Sequence, residues 1–180
     1  MIEIICYAGG TCGDLVTALI DSQGAYFRGK SVMFDLDRMR LKKPHTFDND
    51  LERDQYLETM SARYRSIPSH DLDYHIRQGH EFTGIVVSDW PVALWAATRF
   101  KELHRPHAWQ EMITACGATT VEDYAQIIID FSKRIVRHTD KIITLESIRA
   151  GTVLQNQLLP TVSKNFYQNW QDLQNGVFMT

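Results

Sequence analysis

The chain has 180 residues, 44% hydrophobic and 23% charged, enough for one well-buried core and short for two, so a single domain over residues 1–180 is expected. A net charge of −3 and a pI near 6.1 exclude a broad nucleic-acid surface, which needs a basic face to displace counterions. Cys6, Cys12 and Cys116 form neither a disulfide framework nor a metal spacing, and there is no signal-like segment or apolar run of membrane-spanning length, so a cytoplasmic protein away from the membrane is expected.

In chain order, Ile2 to Tyr7 is an apolar strand that enters the glycine-rich turn Ala8-Gly9-Gly10-Thr11-Cys12-Gly13, and an amphipathic helix opens at Asp14. Ser22-Gln23-Gly24 stops that helix. Ser31 to Phe34 reads as a short strand or an ordered edge segment, and the basic stretch from Asp35 to Asp50, with Arg38, Arg40, Lys42 and Lys43, is expected to be an exposed loop or lid. Leu51 to Tyr64 has helical spacing, Arg65 to His70 reads as a short strand ending in a turn, and Asp71 to Gln78 as a short helix. Ile85 to Ser88 is a further strand, followed by helices over 91–103 and 108–116. The strongest helical pattern runs from Val121 to His138, with Tyr124, Ile127, Ile128, Phe131, Ile135 and Val136 on its apolar face. Asp140 to Leu145 is a strand, Glu146 to Gly151 leads away from it, and Val162 to Leu173 is a helical tail. Strands alternating with helices predict an α/β chain, a three-layer sandwich with a mainly parallel sheet and helices on both faces. Ligands bind such sheets at the carboxyl ends of their strands.

The turn at residues 8–13 is therefore the first candidate site. Glycines let a backbone approach a ligand closely, and a helix that follows aims unpaired N–H groups and its positive dipole end at an anion. A tight strand-to-helix connection needs the same residue types, and the turn lacks the lysine of the common phosphate-binding loop. Asp14 suits a helix start but repels an anion placed close to it. Cys12 reads as a small filler, with a reactive thiol as the alternative. His104 and His107 have no third ligand nearby in sequence and read as surface residues.

Three segments in order resemble the sulfotransferase family of the P-loop-like α/β fold. Cys6-Tyr7-Ala8-Gly9-Gly10-Thr11-Cys12-Gly13 is similar to the family's Y-P-K-S-G-T-T-W loop, Ile67-Pro68-Ser69-His70-Asp71-Leu72 to its K-T-H-L-P segment, and the run from Gly84 to Phe100 to its V-R-N-P-R-D-V-A-V-S strand and helix. Ile142 to Ile148 resembles a later strand, so the likeness spans most of the chain. The resemblance implies transfer of a sulfuryl group from 3′-phosphoadenosine-5′-phosphosulfate to a hydroxyl or amine on a small-molecule or carbohydrate acceptor. It implies that Ala8, Gly9, Gly10, Thr11, Cys12, Gly13 and Asp14 hold the phosphosulfate, that Ser88 lies near the 3′-phosphate, and that His70 is the general base. An imidazole suits that role near neutral pH.

Two departures bear on the chemistry. The loop has no lysine and the third segment no arginine at the matching place, although Thr98 and Arg99 come later in its helix. Replacement positive charge is sought in Arg28, Lys30, Lys42 and Lys43. The alternatives are a small-molecule kinase, with Asp35 or Asp89 as a magnesium carboxylate, and an inactive nucleotide-binding or interaction module using Phe166, Tyr167 and Trp170 as a partner surface.

Overall fold

The computed structural model describes residues 3–14, 16–17, 34–35, 40–41, 49–61 and 66–150. A helical start at residues 13–14 and 16–17 follows strand β1 (Glu3–Cys6). Then come β2 (Phe34–Asp35), β3 (Arg40–Leu41), α1 (Asp50–Ser61), β4 (Ser66–Ser69), α2 (Leu72–Gln78) and β5 (Thr83–Val86). Helices α3 (Trp90–Glu102), α4 (Pro106–Ala115) and α5 (Val121–Ile135) lead to β6 (Ile142–Thr144) and α6 (Leu145–Ala150).

Four strands make one parallel sheet in the order β4-β1-β5-β6, with Ile4 opposite Ile67, Ile5 opposite Thr83 and Ile85 opposite Ile143. The chain is α/β, as the alternation of strands and helices predicts. From central β1 it steps to β4 on one side, then crosses to β5 on the other. That reversal makes the carboxyl ends beside β1 the topological switch point, where open α/β sheets bind ligands.

Period-two alternation divides the strand side chains between two apolar clusters. Ile4, Cys6, Ile67 and Val86 pack with Leu72, Phe82, Ile135 and the half-buried Tyr56, Leu57 and Ile76. Ile5, Tyr7, Ile85, Val87 and Ile143 pack with Val16, Ala93, Ala96, Trp109, Tyr124 and Ile128. Strands buried on both faces explain the near-continuous apolar runs in β1 and β5.

Several boundaries differ from those read in the sequence. Of the strand expected over 31–34 only Phe34 is among the described residues; with Asp35 it forms β2, which pairs antiparallel with β3, so Asp35 and Arg40 are register partners in a two-stranded ribbon instead of lying in a loop. β5 starts at Thr83, two residues before the expected Ile85, and the apolar Val87 lies beyond it because its N–H donates to the Ser132 hydroxyl at 3.0 Å. α5 begins as predicted at Val121, where Thr120 and Asp123 form a capping box, but ends at Ile135, so Val136, expected on the apolar face, is the C-cap and is exposed. The segment after β6 is helical: the Thr144 hydroxyl accepts the Ser147 N–H at 3.2 Å and starts α6. The expected helix over 162–173 and the aromatic residues at 166, 167 and 170 lie outside the described residues.

Candidate functional site at the carboxyl edge

The turn after β1, the His70-Asp71 turn after β4, the Val87 to Asp89 segment after β5 and the start of α6 after β6 all leave the sheet at its carboxyl edge. In the first, Gly10 has φ +88°, and a Cβ there would sit 2.5 Å from the Ala96 carbonyl oxygen. At Gly13 a Cβ would meet the Tyr7 ring at 2.1 Å. Both glycines are required by the packing of the turn against α3 and Tyr7, whether or not a ligand binds. Cys12 also has a left-handed backbone, φ 63°.

The polar groups of the turn divide in two. The Thr11 hydroxyl and N–H both donate to the Ala8 carbonyl, at 2.7 and 3.2 Å, and Thr11 is fully buried, so its side chain closes the turn from within. The N–H groups of Gly10, Cys12 and Gly13 have no acceptor among the described residues. They lie directly before a helix start, the arrangement that favours an anion. Ala8 is buried beneath the turn, Gly9 is half-buried, and the Asp14 carboxylate accepts the Tyr7 hydroxyl.

His70 stands at the mouth of this turn. Its Nδ1 lies 2.8 Å from the Tyr7 carbonyl oxygen, and its ring meets the Tyr7 ring edge-on, with centroids 4.5 Å apart. A carbonyl only accepts, so Nδ1 carries the proton and, in the neutral imidazole, Nε2 carries the lone pair. The Tyr7 N–H in turn donates to the Ser69 carbonyl at 3.2 Å, fixing both strand ends to one another.

Ser88 is exposed after β5, but Glu146 engages its donors. One oxygen of Glu146 accepts from the Ser88 and Asp89 N–H groups at 3.0 and 3.1 Å and lies 3.5 Å from the Ser88 hydroxyl. This carboxylate caps the N-terminus of α3, where Asp89 makes no side-chain cap of its own. The other Glu146 oxygen is buried without a partner among the described residues.

Positive charge enters from α3 and α6. Arg99 and Arg149 both reach over the Trp95 ring, 5.6 and 4.3 Å from its centroid, and both pull the Cys12 thiol toward ionisation. Burial outweighs them and holds Cys12 up at about 11, so it is a packed thiol, as the filler reading expects. Arg99 belongs to the segment already singled out. Arg149 was missed because α6 was not read as a helix and no motif includes it. Arg28, Lys30, Lys42 and Lys43 lie outside the described residues.

Other candidates sit elsewhere. The His104 Nδ1 is 2.7 Å from the Phe100 carbonyl, and exposed His107 pairs with Glu111 at 3.1 Å. Among the described residues no group of three or more His, Cys, Asp or Glu could hold a metal, and no helix is long and apolar enough to cross a membrane. Trp109 is core, Trp95 half-buried and Trp90 42% exposed. Compared with family models, with curated proteins and with solved structures, the chain finds no match in any of the three.

Proposed function

We propose that the carboxyl edge binds the phosphate groups of an anionic nucleotide and that the chain is a sulfotransferase-like enzyme with a P-loop-like three-layer architecture. On this reading it transfers a sulfuryl group from 3′-phosphoadenosine-5′-phosphosulfate to a hydroxyl or amine of a small-molecule or carbohydrate acceptor. The observation that carries the reading is the His70–Tyr7 hydrogen bond, which holds an imidazole with Nε2 as its basic atom at the mouth of a turn whose Gly10, Cys12 and Gly13 N–H groups have no acceptor among the described residues.

Nε2 of His70 removes the acceptor proton as the acceptor attacks sulfur. The bond from sulfur to the bridging phosphate oxygen breaks, and 3′-phosphoadenosine-5′-phosphate leaves. The backbone N–H groups of Gly10, Cys12 and Gly13 meet the charge that develops on that oxygen, and Arg99 and Arg149 supply what the absent loop lysine would. Ser88 contributes only if Glu146 releases its N–H groups.

The test is transfer of labelled sulfuryl from the donor to a panel of hydroxyl and amine acceptors. Wild-type protein is expected to transfer, and His70→Ala to lose about 10²–10⁴-fold in rate while still binding the product nucleotide. Nucleotide binding with no transfer in wild type favours the second reading, an inactive binding module. The specific support for that reading is the Glu146 carboxylate, which occupies the donors of Ser88 and Asp89.

A further inference from the structure

On the far side of α2 lies a cavity of about 610 Å³, walled by the C-terminal ends of α2 and α5. It lies at the amino edge of β5 and β6, opposite the glycine turn, and His75 and His80 line it. His75 is only 1% exposed, yet both its ring nitrogens are used: Nδ1 lies 3.2 Å from Nδ1 of His80 and Nε2 lies 2.8 Å from the Ser69 hydroxyl. Ser69 is the residue before His70. Its hydroxyl also accepts the Asp71 N–H at 3.2 Å, so the same oxygen closes the backbone around His70.

Two proton orders along this chain are possible. Two facing Nδ1 atoms hydrogen-bond only if one carries a proton and the other a lone pair. The Ser69 hydroxyl either gives its hydrogen to Nε2 of His75, whose Nδ1 then donates to His80, or accepts from Nε2 on its second lone pair, with Nδ1 of His75 accepting from His80. In either order the Ser69 hydroxyl is held through His75.

We propose that His75 is a positioning residue for His70, acting through Ser69 and itself held from the cavity side by His80. The proposal rests on the reading of His70 as the base but is testable without it. The other charged groups facing His75 are Arg53 of α1 and Asp71, which are joined at 2.7 Å, and, across the cavity, Arg137, His138, Asp140 and the Lys141–Glu81 pair. Arg53 also lies over the Tyr74 ring at 4.2 Å, so the Arg53–Asp71 pair is held by packing.

The experiment is long-range ¹H–¹⁵N NMR of the histidine rings in the full-length protein, without donor or acceptor, over pH 5 to 8. In wild type the His70 ring is expected to show the Nδ1–H pattern. His75→Phe is expected to bring the two His70 nitrogen shifts toward one another, as the tautomers mix, and His75→Gln to restore their separation through its amide bond to Ser69. If His75→Phe does not fold, Ser69→Ala makes the same break. A His70 ring that keeps its wild-type shifts in both His75→Phe and Ser69→Ala overturns the proposal. Absence of sulfuryl transfer would leave these signals as measured and fail only the functional reading.

Discussion

Burial of His75 makes a prediction about acid stability. Removal from water, with His80 and Arg53 nearby, lowers its pKa from 6.5 to about 4, so the folded protein keeps this ring neutral where the unfolded chain protonates it. The unfolded state therefore binds more protons between these values, and stability rises with pH across that window and falls on acidification. At about 1.4 kcal/mol for each tenfold difference in proton affinity, lowering the pH from 7 to 4.5 removes roughly 2–3 kcal/mol, a large part of a typical domain's 5–15 kcal/mol. Asp123, held down to about 2 by hydrogen bonds from Thr119 and Thr120, acts below that window. Urea unfolding followed by circular dichroism at several pH values, for wild type and His75→Gln, reads the effect. Wild type is expected to lose stability through the window and the variant to lose roughly 2–3 kcal/mol less. Parallel curves for the two proteins would refute the assignment to His75.

Other consequences are equally direct. Gly10→Ala combines a left-handed backbone with a Cβ 2.5 Å from the Ala96 carbonyl and is expected to cost about 2–5 kcal/mol in urea unfolding; a variant as stable as wild type would contradict the described turn. Thr120→Ala breaks the capping box of α5 and is expected to cost about 1 kcal/mol in the same assay. Timed alkylation at pH 8 is expected to label exposed Cys116 first, with Cys6 and Cys12 protected, because burial raises both thiols; early labelling of Cys12 would contradict its assignment as a packed thiol.

The α/β class was legible because β1, the glycine turn and the apolar face of α5 are local patterns. What escaped was set by distant contacts. Ser132 withdraws the Val87 N–H from strand pairing, and Glu146 comes from the last described helix to cap the start of α3. The three glycines read as a phosphate cradle are explained as fully by the closeness of Ala96, Phe100 and the Tyr7 ring. Arg149 was invisible because its approach to Trp95 depends on β6 lying beside β5. The His80–His75–Ser69 chain also left no local signature, since the link from His75 to His80 depends on the chain turning back at Gly79, which has φ +67°.

The measurement that bears most directly on the central claim is calorimetric titration with 3′-phosphoadenosine-5′-phosphate, with ATP as comparison, on wild type and on the Arg99→Ala/Arg149→Ala double variant. Selective binding of the first nucleotide that the double variant loses is the predicted result. Binding of neither nucleotide by folded wild-type protein would mean that the turn serves only to pack α3 against β1, and the account of the carboxyl edge as a nucleotide site would be wrong.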